Sequence, residues 1–155
     1  MVGFDLHVPS GAYEQQNLFN PGRNYWATTL YYSITQAFGG RYDANLRANL
    51  TLNDVNPDTQ YHSGHEIGAD YSVNARVMPK VIVGVNGYYH QQVTDDEIRG
   101  QTVPVDGRRL RVLAYGPQVG YRGDGWGITA KWQHEVMARN KSEGDKYWLQ
   151  FFVAL

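Results

Sequence analysis

Two long segments of the chain alternate strictly between apolar and polar residues. Residues 41–53 read RYDANLRANLTLN and residues 66–77 read EIGADYSVNARV, with every second position apolar or tyrosine. This period of two predicts β-strands that have one apolar face and one polar face. The polar positions include full charges of both signs. A soluble sandwich turns its apolar faces inward, whereas an outer-membrane barrel turns them toward lipid and encloses the polar faces.

The same pattern extends along the chain and predicts about eight strands separated by turn residues. The predicted strands are residues 2–8, 24–38, 41–53, 66–77, 80–93, 108–122, 126–139 and 147–155. Most of them exceed the ~5–6 residues usual in globular sheets and fit the ~9–11 residues that cross a bilayer at a tilt. Strand length therefore favours a transmembrane sheet.

Short and long connections alternate between the predicted strands. The short ones lie at 38–40, 78–79 and 123–125, and the long ones lie at 9–23, 54–65, 94–107 and 140–146. Such alternation is typical of an up-and-down barrel with tight periplasmic turns and longer extracellular loops. We predict that residues 1–155 form a single all-β domain, a transmembrane antiparallel up-and-down β-barrel of about eight strands.

The outward positions of these strands form a nearly uncharged band that is bordered by aromatic residues. Tyr and Trp collect at membrane interfaces because the ring reaches the acyl region while its polar tip meets the headgroups. The predicted interface residues are Phe38, Tyr42, Tyr121 and Trp126 at the periplasmic rim and Trp26, Tyr89 and Tyr147 at the opposite rim. Beyond the outer rim, Arg109 and Arg111 are expected either to contact lipid headgroups or to be solvated. The alternative is that the aromatic residues form the core of a soluble sheet.

The inward positions are polar and charged, and they define the predicted lumen. These residues are Asp43, Asn45, Arg47, Glu66, Asp70, Arg76, Tyr88, His90, Gln118, Arg122, Lys131 and Glu135. Enclosed charges are costly unless they are paired, so we expect ion pairs between Asp43 and Arg76 and between Arg47 and Asp70. The charges could seal the lumen as a salt-bridged plug or form a constriction that selects solutes. In a barrel of about eight strands, side chains occupy most of the interior, which favours the plug.

Composition narrows the classes of protein that remain. The chain has no cysteine and a formal net charge of −1, so disulfides and thiolate metal sites are excluded and no electrostatic signal indicates nucleic acid. No apolar run approaches the ~18 residues of a spanning helix, which excludes a helical membrane protein. Met1 is followed directly by the strand-like VGFDLHV rather than by a secretory signal. If the protein is exported, we therefore expect this chain to be its mature or shortened form.

The sequence offers few residues for catalysis or for metal binding. His62 and His65 share a polar loop but lack a third ligand at a diagnostic spacing. The segment DDE at 95–97 could bind a divalent cation, although a solvated acidic loop is the simpler expectation. His90 faces inward and His134 faces outward by parity, and neither has an evident serine partner. We predict no catalytic residue, no metal and no cofactor, and hence that the protein is not an enzyme.

Three segments carry a family resemblance. They are HVPSGAYEQQNLFNPGRNYWA at 7–27, GVNGYYHQQVTDDEIRGQ at 84–101 and YGPQVGY at 115–121. They resemble, in order, the outer-membrane β-barrel family named for the meta-pathway of phenol degradation, with its V-P-T-G-x-Y, N-P-G-x-N-x-W, G-x-N-G-Y-Y and T-D-D-E motifs. Barrels of that family have about twelve strands. The chain looks like the C-terminal portion of a member, shortened in nature or by engineering.

The resemblance implies a bacterial outer-membrane channel for uptake of small hydrophobic or aromatic compounds. Its route would be lined by Tyr31, Asn45, Tyr88, His90, Gln118 and Lys131. The alternative is a non-conducting membrane scaffold, truncated or engineered, whose lumen is sealed by ion pairs. Because open edges cannot face lipid, we expect the first and last strands to pair and close a narrower barrel.

The partners implied by the resemblance are outer-membrane lipid and lipopolysaccharide, the barrel-assembly machinery and a small hydrophobic solute. Residues 147–155 resemble the C-terminal assembly signal of such barrels, although the chain ends in Leu155 rather than phenylalanine. No nucleic-acid partner is expected.

Overall fold

The structure of the protein is a computed structural model that describes residues 1–17 and 19–154. In chain order its strands are β1 (Val2–His7), β2 (Ala27–Phe38), β3 (Tyr42–Asn53), β4 (Tyr61–His62), β5 (Glu66–Met78), β6 (Val81–Gln92), β7 (Glu97–Ile98), β8 (Gln101–Thr102), β9 (Arg111–Arg122), β10 (Trp126–Arg139) and β11 (Asp145–Val153). Within these ranges no helix is long and apolar enough to span a membrane. Leu155, the last residue of the proposed assembly signal, lies outside the described residues.

The eight long strands form one antiparallel sheet in the order β1-β2-β3-β5-β6-β9-β10-β11. Each strand pairs with the next long strand in sequence, as an up-and-down topology requires. The predicted strands are confirmed, and the largest shifts of a strand end are from Asn24 to Ala27 and from Arg108 to Arg111. The tight β2–β3 turn depends on Gly39 and Gly40, which have positive φ angles of 55° and 65°, as the twist-matched hairpin turns demand.

The sheet is not closed into a barrel, so the predicted closure is wrong for this structure. No pairing joins β1 to β11 among the described residues, and each of these strands has one edge without a partner. The sheet is nevertheless strongly curved, because Asp5 of β1 and Lys146 of β11 line the same cavity. Barrel diameter grows with strand number, so a sheet curved for a larger barrel leaves its first and last strands apart.

The convex face of the sheet is apolar and exposed. Phe4 is 67% exposed and Leu149 is 73% exposed, and the same side carries exposed Leu30, Tyr32, Ile34, Leu46, Val73, Val85, Val119 and Phe151. The buried apolar residues among those described are few and mostly small: Ala27, Val103, Val112 and Ala114. A soluble sheet buries its large apolar side chains. This sheet instead presents them outward, which is the arrangement expected of a lipid-facing wall.

A small second sheet, formed by β4, β7 and β8, caps the end of the main sheet where the long loops lie. Asp96 is 8% exposed and organises this cap. One carboxylate oxygen accepts hydrogen bonds from the Gly64 amide at 2.9 Å and from Gln92 Nε2 at 2.8 Å, and the other accepts from the Tyr61 hydroxyl. The two long loops at 54–65 and 94–107 are therefore joined through one buried carboxylate.

The seam between β9 and β10 is interrupted at its centre. The register runs from Lys131↔Gln118 directly to His134↔Tyr115, so Gly116 and Pro117 have no ladder partners on β10. Proline lacks the amide that a central strand needs. The Asn86 side chain of β6 compensates, since its Nδ2 lies 3.0 Å from Gly116 O and 3.1 Å from Pro117 O. Residue 116 must be glycine, because a Cβ there would lie 2.1 Å from the Trp132 carbonyl oxygen.

Candidate functional site: a polar groove on the concave face

The concave face of the sheet carries a polar groove that runs along the strands. It consists of an upper cavity of about 460 Å³ at the long-loop end, a middle cavity of about 230 Å³ and a lower cavity of about 510 Å³ at the short-turn end. Arg47 and Asp70 line both the upper and the middle cavity, and Thr35 and Asn45 line both the middle and the lower one. The three cavities are therefore parts of one groove that narrows at its centre.

The structure brings the predicted lumen residues together along this groove. The cavities are lined by Asp43, Asn45, Arg47, Asp70, Arg76, Tyr88, His90, Arg122 and Lys131. The other three contact groove residues: Glu66 lies 2.9 Å from His90, Gln118 donates to Asn74, and Glu135 accepts from Tyr88. Strand parity placed these side chains on one face. That they line a conducting route stays a prediction.

A buried carboxylate dominates the upper part of the groove. Glu135 on β10 is 2% exposed and accepts hydrogen bonds from the Tyr88 hydroxyl and from Lys141 Nζ, with Lys146 Nζ 3.8 Å away. The Lys146 ammonium also lies 4.2 Å from the centre of the Tyr88 ring, which is favourable cation–π geometry. These contacts link β6, β10, β11 and the loop before β11. Lys141 and Lys146 were missed at the sequence level because both lie in a predicted loop.

The Arg47 guanidinium in the middle of the groove does not form the predicted ion pair with Asp70. The two residues are opposite each other in register, yet the acidic partner of Arg47 is Asp5 at 3.7 Å. The guanidinium carbon also lies 4.3 Å from the centre of the Tyr31 ring. The prediction was wrong because curvature brings β1 and its carboxylate over β3, and an aromatic face competes for the same guanidinium.

The second predicted ion pair, between Asp43 and Arg76, is also absent among the described residues. Asp43 Oδ1 instead accepts hydrogen bonds from Asn45 Nδ2 and Asn74 Nδ2, both at 2.7 Å. Asn74 is directly opposite Asp43 in register, whereas Arg76 is on the diagonal. The Asn74 amide, rather than Arg76, binds the Asp43 carboxylate, because residues that are directly opposite across two strands lie closer than diagonal ones.

The predicted interface residues lie at the two ends of the convex face. At the short-turn end Phe38 and Tyr42 are register partners, and the ring centres of Tyr121 and Trp126 are 5.5 Å apart. At the opposite end lie Trp26, which immediately precedes β2, Tyr89 near the end of β6, and Tyr147, whose ring stacks on Trp132 with centres 6.5 Å apart. The inward-facing aromatic residues of β11, Trp148 and Phe152, were not singled out from the sequence, although parity with Gln150 assigns them to the concave face.

The two arginines at the outer end of β9, Arg109 before it and Arg111 at its first position, have different surroundings in this structure. Arg109 Nε donates to Asp95 Oδ1 at 2.6 Å, and this carboxylate raises the pKa of Arg109. The hydrogen bond from Arg139 holds the pKa of Asp106 below its usual value. Arg111 Nε is buried and has no hydrogen-bond acceptor among the described residues. The proposed lipid contacts of Arg109 and Arg111 therefore stay predictions, and those of Arg109 would have to compete with Asp95.

The side chains considered for chemistry serve as structural contacts in the cap and at its margin. His65 Nδ1 accepts from the Asn53 amide at 3.2 Å, and His62 Nε2 lies 2.9 Å from the Asn53 carbonyl oxygen. His134 Nδ1 lies 3.0 Å from Asp145 Oδ1. The segment 95–97 is not a fully solvated acidic loop, because Asp96 is buried. In the described part of the chain, no group of three or more His, Cys, Asp or Glu side chains is placed to hold a metal ion.

The chain matches one protein family over nearly its whole length. Residues 1–151 match the family described as "Putative MetA-pathway of phenol degradation". The chain therefore belongs to this family, and the resemblance seen in its sequence motifs is confirmed. No curated protein matches the chain.

One solved structure has a similar fold. It is the crystal structure of the COG4313 outer membrane channel from Pseudomonas putida F1, with a TM-score of 0.74 and 14% sequence identity. The match covers 97% of this chain and 56% of the channel. The chain therefore spans little more than half the length of that channel, and the likeness concerns the fold of the shared part.

Proposed function

We propose that the chain forms part of the wall of a bacterial outer-membrane channel. The observation that carries this proposal is the pairing of an exposed apolar convex face with a continuous polar groove on the other side of the same sheet. Lipid solvates the first face and water the second, as in the known transmembrane barrels. In a bilayer the open edges of β1 and β11 require partner strands, so we propose that additional strands complete the wall, which for the refolded chain are those of a second copy.

Small hydrophobic or aromatic compounds are the solutes we propose for this channel. The family description, which refers to phenol degradation, supports this class. Tyr88 lines the upper cavity, and aromatic rings offer flat apolar surfaces to such solutes. The groove would then combine aromatic walls with polar groups that keep it hydrated.

The aromatic residues at both ends of the convex face would anchor the wall at the two membrane interfaces. Headgroups and lipopolysaccharide would surround the outer end, and the barrel-assembly machinery would recognise the last strand. Tyr147 would contribute to this anchoring, because its ring is 76% exposed on the convex side at the outer end.

The Glu135 cluster favours a second candidate, a non-conducting scaffold. Its hydrogen bonds connect strands across the upper groove, and a buried charge network of this kind stabilises one arrangement of the wall. The absence of the two predicted ion pairs further down argues against a complete plug. The support for this second candidate therefore consists of the Glu135 cluster alone.

Conductance of the refolded full chain in a planar bilayer tests the proposal. We expect discrete current steps, and Glu135→Gln should alter their size because it releases Lys141 and Lys146. Glu143→Gln, an exposed glutamate of the same loop, is the matched control and should leave the current unchanged. An inserted, β-rich protein that is silent would refute the channel, and current that appears only in Glu135→Gln would identify the scaffold.

A further inference from the structure

We propose that the lower cavity is a binding site for the carboxylate group of a small organic acid. This inference rests on the proposed channel function, because the cavity is the short-turn end of the same groove. The cavity has a volume of about 510 Å³ and is lined by three arginines, Arg41, Arg76 and Arg122. The acidic residue in its lining is Asp43.

The three guanidinium groups have no acidic partner in the described structure. All described ion pairs of arginine involve Arg47, Arg109 and Arg139. The one other contact described for these guanidinium groups is that of Arg41, whose guanidinium carbon lies 5.7 Å from the centre of the Tyr42 ring. The lower cavity therefore holds three positive charges and one negative charge.

The one carboxylate in the cavity is already engaged by neutral donors. Asp43 Oδ1 accepts hydrogen bonds from the amides of Asn45 and Asn74 at 2.7 Å each. These amides hold the carboxylate against the wall without adding charge. The guanidinium groups thus keep their hydrogen-bond donors available to the cavity.

Two of the three arginines face each other across the sheet. The Arg76 amide donates to the Arg41 carbonyl oxygen at 2.8 Å, and the adjacent residues Tyr42 and Ala75 are register partners. Like charges in directly opposite positions destabilise a sheet. The arrangement is relieved when an anion lies between the two guanidinium groups, which is the geometry that favours bidentate binding of an oxyanion.

The remaining lining selects among anions. Ala37 and Ile82 place apolar surface beside the arginines. An inorganic anion gains nothing from this surface, whereas an acid with a compact hydrocarbon or aromatic body buries it there. The combination of guanidinium groups and an apolar wall points to an organic monocarboxylate.

Calorimetric titration of the detergent-refolded full chain with benzoate and, separately, with inorganic phosphate tests this site. We expect benzoate to bind at low ionic strength and phosphate to bind more weakly. Arg76→Gln and Arg122→Gln should each weaken benzoate binding about tenfold or more, because each removes a charge-assisted contact. Arg99→Gln, which removes an exposed arginine of the cap, should leave the affinity unchanged.

Three results would overturn the site: no heat with either anion, binding of phosphate but not benzoate, or equal losses in Arg99→Gln and Arg76→Gln. The titration does not require ion flow, so it is independent of the bilayer test. A protein that conducts but binds no benzoate refutes the site alone. A silent protein that binds benzoate refutes the channel and leaves the site standing.

Discussion

Tyr61 and Asp96 meet in the cap, where a phenol donates to a buried carboxylate. Burial, together with the hydrogen bond and the negative charge of Asp96, raises the pKa of Tyr61 to about 12. A second negative charge beside Asp96 would be unfavourable, so the neutral phenol is the form that the folded cap binds. The pair therefore couples the protonation of one side chain to the folding of two loops.

We predict that the cap loses stability in alkaline solution above the range where an ordinary tyrosine ionises. Since the pKa of Tyr61 is raised on folding, its contribution is fully present below pH ~10 and is lost as the pH rises through about 12. Carbon NMR of ring-labelled tyrosine, compared with Tyr61→Phe, isolates its titration. A midpoint for Tyr61 near that of a free tyrosine would contradict the prediction.

At the scale of elements, the β9–β10 seam shows how a central strand tolerates proline. Asn86 is 3% exposed and reaches from β6 to the carbonyl groups of Gly116 and Pro117, the two residues without ladder partners on β10. Gly116 lets the β10 backbone approach, because a Cβ there would lie 2.1 Å from the Trp132 carbonyl oxygen. Strand patterning alone predicts continuous strands here, because the apolar alternation passes through Pro117 without interruption.

We predict that Asn86→Leu destabilises the sheet although the side chain keeps nearly the same volume. The carbonyl groups of Gly116 and Pro117 lose their buried donor, which should lower the free energy of unfolding by about 1–3 kcal/mol. Urea unfolding in lipid vesicles, followed by tryptophan fluorescence, measures the change. Gln150→Leu, at an exposed amide of β11, serves as the control. Equal unfolding midpoints for Asn86→Leu and the original chain would show that the contact is dispensable.

At the scale of the whole molecule, the sheet is a curved wall with two free edges. Its convex side has the exposed apolar surface of a lipid-facing barrel, and its concave side has a groove rather than a packed interior. The chain belongs to the matched family and shares its fold with little more than half of a longer outer membrane channel.

We predict that β1 and β11 of this chain do not form a disulfide when cysteines are placed on them. The sequence contains no cysteine, so no native thiol can form a disulfide that competes with the introduced pairs. Phe4→Cys with Leu30→Cys, register partners on β1 and β2, should oxidise readily because a disulfide needs Cα atoms ~4.4–6.8 Å apart. Phe4→Cys with Phe151→Cys should form no disulfide within one chain in gel-shift assays. Efficient oxidation of the second pair within one chain would establish the closed eight-stranded barrel instead.

The strands, their faces and the order of turns and loops could be predicted from the amino-acid pattern. The alternation in 41–53 and 66–77 assigns every side chain to one face of the sheet, because successive side chains of a strand point to opposite faces. The turns at Gly39-Gly40 and Met78-Pro79 were equally readable, since glycine tolerates the positive φ angles found at 39 and 40 and proline favours turns. The assignment of Asp43, Arg76 and Lys131 to the polar face therefore followed from parity alone.

The curvature of the sheet and the partners of the charged side chains could not be predicted in this way, because both depend on how distant strands pack. Whether β1 meets β11 depends on the sum of small angles between all neighbouring strands, and local patterning does not encode that sum. The partner of Arg47 depends on the same curvature, which brings Asp5 within 3.7 Å while Asp70, its neighbour in register, is left aside. The buried position of Asp96 likewise required two loops that are distant in sequence to pack together, so DDE at 95–97 gave no sign of it.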